Sequence, residues 1–316
     1  MNSNSSQTAI HVAGLRKSFG DKVVLDGIGF DVPRGTIFSL LGPNGAGKTI
    51  TVQILSTLIG SDGGELWVAG RDLAVDPDGV RAAIGVTGQY SAVDNLLTGE
   101  ENLRLMGDLY HLDKRRVRPR VAELLDQFDL MEAARKPAAT YSGGMRRRLD
   151  LAMTLIGDPE IIFLDEPTTG LDPRSRRAMW EIIRRLVADG VTIFLTTQYL
   201  EEADQLADRI ALLDHGRFVA EGTADELKRL VPGGHVRLKF ADAHGLQAAA
   251  RVLGGVPQAE DELTLQVPSD GDVKSLRLLL GALDAESVEV VDLSIHKPDL
   301  DDVFLSLTGR PKEDVR

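Results

Sequence analysis

From residue 9 the chain alternates apolar runs with turn residues. IHVAGL and VVLDGIGFDV read as short strands, separated by Gly20-Asp21 and closed by Pro33-Arg34-Gly35. The apolar run TIFSLL predicts a strand that feeds directly into a glycine-rich loop, and GKTITVQILSTLIG predicts a helix that ends near Gly60. ELWVAG and IGVTGQ predict further strands, and the pattern from about Thr98 to Asp158 is mostly helical. Strand–helix alternation follows: IIFLDEP before a helix over Arg174 to Ala188, VTIFLTT before one over Leu200 to Ala207, then RIALLD with its hairpin partner GRFVAEG. This order predicts an α/β fold with a parallel sheet covered by helices.

Val231-Pro232-Gly233-Gly234 interrupts the pattern. It divides the chain into a polar tail over 1–8, a large domain over 9–231 and a small α+β domain over 232–316. In the last, HVRLKF, ELTLQV and SVEVVDLSI alternate with helical stretches around Leu246 to Leu253 and Val273 to Leu283. Near the end, LDDVFLSLTG places Leu300, Val303, Phe304 and Leu307 on one helical face. No repeat of fixed period is present.

Composition narrows the possibilities. The 316 residues are 43% hydrophobic and 27% charged, as expected of a folded core. No apolar run approaches the ~18–20 residues that span a bilayer, so no membrane crossing is expected. The start, MNSNSSQT, lacks the basic and apolar segments of a signal peptide and is expected to be a loose tail of a cytoplasmic protein. The absence of cysteine excludes disulfides, thiolate catalysis and thiolate metal ligands. A net charge of −12 disfavours bulk attraction to nucleic acid or anionic lipid. The arginine clusters (Arg115, Arg116, Arg118, Arg120; Arg146 to Arg148; Arg174, Arg176, Arg177) are expected to be mostly solvated helix faces. The six histidines show no metal-ligand spacing.

Three segments carry the candidate chemistry. GPNGAGKT, comprising Gly42, Pro43, Asn44, Gly45, Ala46, Gly47, Lys48 and Thr49, fits the phosphate-loop pattern G-x-x-x-x-G-K-[ST] between a strand and the helix GKTITVQILSTLIG, and with Ile50 it makes up the candidate nucleotide-binding segment. Its glycines let backbone N–H groups turn toward a phosphate chain, with Lys48 as a point charge and Thr49 as a magnesium ligand. IIFLDEP ends an apolar strand in Asp165 and Glu166, where one carboxylate can orient magnesium and the other can position a water. Ser142-Gly143-Gly144 opens a helix. It reads either as an ordinary N-cap or as an anion site made from the same free amides and helix dipole.

The order and spacing of these segments resemble the ATP-binding cassette (ABC) proteins over about the first 230 residues. The resemblance implies a RecA-like parallel core with an antiparallel β subdomain and a helical subdomain, and the small α+β domain follows it. It implies ATP and Mg2+ as cofactors, with Asp165 holding the metal through water, Glu166 polarising the attacking water and Asp172 lying across a subunit contact. Ser142, Gly143 and Gly144 would meet the γ-phosphate of ATP held on another chain, in a head-to-tail homodimer with two shared sites. Gln89 resembles the glutamine that touches the metal or the water and couples to a membrane partner. Phe19 sits where an aromatic stacks on adenine, with core packing as the rival explanation. Gln198 occupies the usual switch-histidine position; it can donate an N–H to a phosphate but cannot titrate near neutral pH.

More narrowly, TYSGGMRRRLDLA, TTQYLEEADQLADRIALLDHGR and LDDVFLSLTGRP look like the ATP-binding subunits of daunorubicin-resistance-type exporters. That implies a separate polytopic permease, location on the cytoplasmic face of the membrane, and efflux of a hydrophobic antibiotic or lipid-like compound. The tail helix would pack on its own sheet or also support contact with a second cassette or the permease. A soluble ABC ATPase acting on nucleic acid or the ribosome is the alternative. Such proteins usually carry two cassettes in one chain or a long coiled-coil insertion, and this sequence has neither.

Overall fold

Half-buried alternation at the start of the chain builds a hairpin. Strands β1 (Thr8–Phe19) and β2 (Lys22–Pro33) turn at Gly20-Asp21 and bury Ile10, Val12, Leu15, Leu25, Ile28 and Phe30. The computed structural model describes residues 7–89, 91–231, 234–257, 263–269, 272–296 and 298–309. Strand β3 (Ile37–Leu41), buried at every position, leads through the glycine loop into α1 (Lys48–Leu55). The helix stops at Leu55 and not near Gly60. Thr57 adopts a left-handed φ of 64°, and the Thr57 and Leu58 amides donate back to the carbonyls of Ile54 and Gln53, which closes the helix end.

Then come β4 (Gly63–Val68), β5 (Arg71–Asp72), α2 (Pro77–Ala83) and β6 (Ile84–Thr87). The expected strand ELWVAG stops at Val68, and the short helix α2, absent from the apolar pattern, is started by an Asp76 cap and a proline in its first turn. The long helical stretch resolves into α3 (Gly99–Leu109), α4 (Lys114–Gln127) and α5 (Gly143–Thr154), capped by the side chains of Thr98, Asp113 and Ser142. Strand β7 (Ile161–Asp165), α6 (Pro173–Ala188), β8 (Thr192–Thr197), α7 (Leu200–Leu206), β9 (Arg209–Asp214) and β10 (Arg217–Gly222) complete the first unit.

Two sheets result. One has the order β2-β1-β4-β5 and is antiparallel; the other has the order β10-β9-β3-β8-β7-β6 and is parallel except for β10. Helices and the first sheet cover both faces of the parallel strands. Ile37, Ile162, Leu164, Ile193 and Leu195 pack in the cluster that holds Leu124, Leu149 and Ile183 of the helices. Their sequence neighbours Phe38, Ile161, Phe163 and Phe194 pack in the opposite cluster with Val52, Ile10 and Phe30. Burial on both faces is why β3, β7 and β8 read as unbroken apolar runs.

The chain divides into compact units between Ala224 and Asp225. That point lies inside α8 (Ala224–Lys228), a few residues before the sequence break at Val231. The second unit contains β11 (His235–Lys239), α9 (Ala243–Leu253), β12 (Val256–Pro257), β13 (Thr264–Pro268), α10 (Val273–Ala285), β14 (Asp292–His296) and α11 (Leu300–Thr308). Its antiparallel sheet has the order β12-β13-β11-β14, with Val236, Leu238, Leu265, Leu246 and Leu279 in the core. The expected strand SVEVVDLSI is shorter than read. Ser287 takes φ 55°, and the Ser287 and Val288 amides close the end of α10, so pairing begins only at Asp292. On α11 Leu300 and Val303 are buried, Phe304 is half-buried and Leu307 is exposed.

Candidate functional site

Parallel register brings the candidate segments to one sheet edge. Leu41 pairs with Thr197, Thr87 with Leu164, and Asp165 with Thr196, so the chain leaves β3, β6, β7 and β8 side by side at their C-terminal ends. Gly42, Glu166 and Gln198 follow those ends directly and Gln89 one residue later, which is where open α/β sheets place ligands. A hydrogen bond from the Gly42 amide to the Thr197 carbonyl (3.3 Å) ties the loop to the residue before Gln198.

Glycine is required in the loop for two reasons. A Cβ on Gly42 would lie 2.2 Å from the Leu213 carbonyl oxygen, and Gly47 combines φ 114° with a Leu25 methyl 2.6 Å from its Cβ position. Gly47 also begins α1 without any capping side chain, so the first-turn amides of Lys48, Thr49 and Ile50 keep N–H groups for an anion. Asn44 and Gly45 are exposed, Pro43 is half-buried, and buried Ala46 accepts the Gly216 amide at 3.2 Å.

The Lys48 ammonium is buried. It donates to the carbonyls of Gly42 (2.7 Å) and Pro43 (3.2 Å) and lies 3.5 Å from Glu166 Oε1. Burial pulls Lys48 below the ordinary lysine range, and the Glu166 and Asp165 carboxylates oppose that shift. Thr49 Oγ1 donates to Asp165 Oδ1 at 3.3 Å, and the same oxygen accepts from the Thr196 hydroxyl. Hydroxyl and carboxylate oxygens at this spacing form a hard donor set that suits a magnesium ion sharing its remaining positions with phosphate and water. Glu166 has a left-handed φ of 50°, costly for a residue with a side chain, and its amide is held by the Thr196 carbonyl at 3.1 Å. Its Oε2 accepts from the Thr169 hydroxyl at 3.2 Å.

The remaining candidates have defined places. Ser142 caps α5 by accepting the Met145 amide at 3.2 Å, so the ordinary cap is real; Ser142 and Gly143 are nevertheless exposed. Gly144 is close-packed, since a Cβ there would lie 2.6 Å from Ser175 Oγ. Asp172 is exposed and caps α6 through the amides of Arg174 and Ser175, both at 3.0 Å; the Ser175 hydroxyl at 2.6 Å helps hold its carboxyl below the usual carboxylate range. Gln89 is exposed just beyond β6, and Gln198 is half-buried just beyond β8. Phe19 is 51% exposed at the end of β1, with Lys17 Nζ 5.3 Å from its ring, so core packing does not explain it.

The arginine clusters are not all solvated faces. Arg147 is largely buried: its Nε donates to the Pro167 carbonyl (2.8 Å), Nη1 to the Gly88 carbonyl (2.9 Å) and to Asp150 Oδ2 (3.2 Å), and Nη2 to the carbonyls of Asp165 (3.2 Å) and Glu166 (3.3 Å). Asp150 is 3% exposed, and its other oxygen accepts the Ala92 amide at 2.9 Å. Arg148 binds the Phe128 carbonyl at 2.8 Å, and Arg120 binds the Leu155 carbonyl at 3.0 Å and Asp158 at 2.8 Å. Sequence reading also missed Glu202. This fully buried carboxylate accepts from Thr168 Oγ1 (2.7 Å) and Trp180 Nε1 (3.0 Å), and burial raises its pKa. An available signal was Asp150 itself, an acid within the apolar run LDLAM one helical turn after Arg147.

Comparison with known proteins agrees with this geometry. Residues 25–169 match the ABC transporter family model. The chain is 50% identical over 312 residues to the daunorubicin resistance ATP-binding protein DrrA2 of Streptomyces coeruleorubidus, covering 97% of each chain. It is 38% identical to the Nod factor export ATP-binding protein I of Rhizobium sp. (strain N33), covering 98% of this chain and 99% of the relative. A solved ATP-binding subunit of an ABC transporter superposes with a TM-score of 0.63 at 30% identity, covering 70% of this chain and 92% of that one.

Proposed function

We propose that this chain, which belongs to the ABC transporter family as an ATP-binding subunit, hydrolyses ATP between two copies of itself to power export through a separate membrane-spanning partner. The observation that carries this reading is the convergence of Lys48, Thr49, Asp165, Glu166 and the Gln89 and Gln198 segments on one sheet edge. The amides of the glycine loop and α1 bind the phosphate chain, and Lys48 supplies a fixed positive charge beside it. Thr49 and Asp165 would hold Mg2+, which neutralises phosphate charge when bound. Glu166 accepts the proton of the attacking water, and Gln198 donates an amide N–H toward the γ-phosphate. Gln89 links the site to the partner, and Phe19 offers its exposed ring to the adenine.

A head-to-tail dimer is supported by the exposed helix start at Ser142-Gly143, whose first-turn amides and positive dipole end suit a γ-phosphate presented by a second chain. Asp172 lies near the same surface through Ser175, whose hydroxyl fills the space a Cβ on Gly144 would take. Among the described residues no helix is long and apolar enough to cross a membrane, so the transport path is assigned to another subunit. The relatives' names, daunorubicin resistance and Nod factor export ATP-binding proteins, support export as the work; we assign a hydrophobic drug or lipid-like compound as the exported class and the cytoplasmic membrane face as the working location.

Glu166→Gln tests the reading. ATP binding should persist while turnover falls by on the order of 10² or more, with a stable ATP-bound dimer in mass measurements. Hydrolysis at the wild-type rate would remove Glu166 from its role. Co-purification with a polytopic membrane protein, against nucleic-acid-stimulated hydrolysis, separates export from a soluble nucleic-acid ATPase.

A further inference from the structure

We propose that Arg147 and Asp150 form a positioning clamp that couples the loop carrying Gln89 to the backbone of Glu166, so that displacement of one is felt by the other. The inference rests on the reading of Glu166 as general base and Gln89 as the link to the partner.

Stability alone does not account for the pair. Two charges largely withdrawn from water inside a helix cost more than an apolar pair of similar volume, so a buried ion pair is weak evidence of stabilisation. What this pair adds is connectivity. The carbonyls of Asp165, Glu166 and Pro167 all accept from one guanidinium. The left-handed turn at Glu166 lies in the middle of that set, and a conformation of this cost persists only when its surroundings over-determine it. Thr196 anchors the Glu166 amide on one side and Arg147 anchors the carbonyls on the other.

The clamp also brackets Gln89. Arg147 Nη1 holds the Gly88 carbonyl and Asp150 Oδ1 holds the Ala92 amide, so both ends of the loop are fixed to adjacent turns of α5. The salt bridge at 3.2 Å joins the two anchors. A planar guanidinium with five donors serves these diverging acceptors, and a lysine ammonium on its flexible stem cannot. Arg147 touches neither ATP nor water in this scheme; it acts through Glu166 and Gln89. Its helix begins at Ser142, so the surface offered to a second chain and the base of this chain share one rigid element.

The test uses the full chain. Arg147→Gln, Arg147→Lys and Asp150→Asn should change ATP affinity by less than about threefold while kcat falls roughly tenfold or more, because the loss is confined to the transition state. Arg148→Gln is the control for structural damage. It removes a part-buried bond and an exposed ion pair from the neighbouring position, so it should lower the melting temperature while keeping most of kcat. Amide hydrogen exchange gives a second readout independent of turnover: Asp150→Asn should speed exchange at Ala92 and at Glu166 together. Wild-type kcat in the Arg147 variants, losses that only track melting temperature, or exchange changes confined to Ala92 would each overturn the clamp. If Arg147→Gln does not fold, the Asp150→Asn exchange pattern decides alone. A fully active Glu166→Gln would defeat the proposed function instead, and the exchange coupling would still report on the clamp itself.

Discussion

The two units use sheets in opposite ways. In the first, β3, β7 and β8 are buried at every position between two layers, and the candidate site residues lie at their ends. In the second, β11 alternates buried and exposed residues and β14 has no fully buried position, so that sheet keeps one covered face. A strand buried on both faces cannot slip register without moving every side chain into the wrong layer. Its end is therefore a stable platform for Lys48, Asp165 and Glu166. One buried face fixes register in the second sheet as well, but the polar side chains that meet where β11 pairs with β14, His235, His296 and Asp302, come with neither a glycine loop nor a lysine.

That contrast can be broken most forcefully by cutting each core. Leu195→Ala and Leu238→Ala each remove a fully buried side chain and should each cost about 2–5 kcal/mol. Only Leu195→Ala should also weaken ATP binding in the folded fraction, because it loosens the strand that positions Thr196 and Thr197. Equal effects on nucleotide affinity, measured by titration below the melting range, would erase the distinction.

The next largest effect isolates the platform from its fold. Lys48→Ala removes a charge-assisted contact worth roughly 1.5–3 kcal/mol, so ATP affinity should fall about ten- to a hundredfold. Calorimetric binding that is unchanged would mean the lysine only bridges Gly42, Pro43 and Glu166.

Gln198 sharpens the comparison by pH. It cannot titrate, so the wild-type rate profile should lack a limb from this position, and Gln198→His should gain one near the unperturbed histidine pKa of about 6.5. Superimposable pH–rate curves would place the side chain away from the reacting phosphate.

The smallest expected effect concerns Glu202, whose pKa burial raises above the ordinary glutamate range. An acid whose pKa is raised in the fold binds more protons folded than unfolded, so its contribution is most favourable below about 4.5 and is lost as pH rises through the raised folded value. Glutamine can still accept from Thr168 and Trp180 without that penalty. Glu202→Gln should therefore match wild type at low pH and gain stability over it toward neutrality, as read by denaturant melts across pH. A constant difference would mean that Glu202 does not change protonation on folding.

Much of this molecule is legible in its amino-acid order. GPNGAGKT needs only local physics: glycines for backbone freedom and close approach, a lysine, a hydroxyl, and a strand and helix on either side. IIFLDEP and VTIFLTT announce two-faced burial by having no polar alternation, and the caps at Ser142 and Asp172 are short-range signals that the structure uses as caps. Helix α1 and the strand within SVEVVDLSI ended elsewhere than expected because Thr57 and Ser287 adopt left-handed turns that their residue types do not advertise. Arg147 was misread for a different reason. A charged residue on a helix is solvated by default, and only the approach of three backbone carbonyls from β7's exit and one from beyond β6 makes it interior. Sequence by itself determined which residues could bind phosphate, hold a metal or accept a proton, since those capacities belong to side chains and to local backbone freedom. Tertiary structure alone decided that Asp165 and Glu166 stand beside Lys48 and Thr49, and that Gln89 and Gln198 leave the same end of the sheet. Parallel strand order and register are set by long-range packing on two faces, which no short window of residues contains.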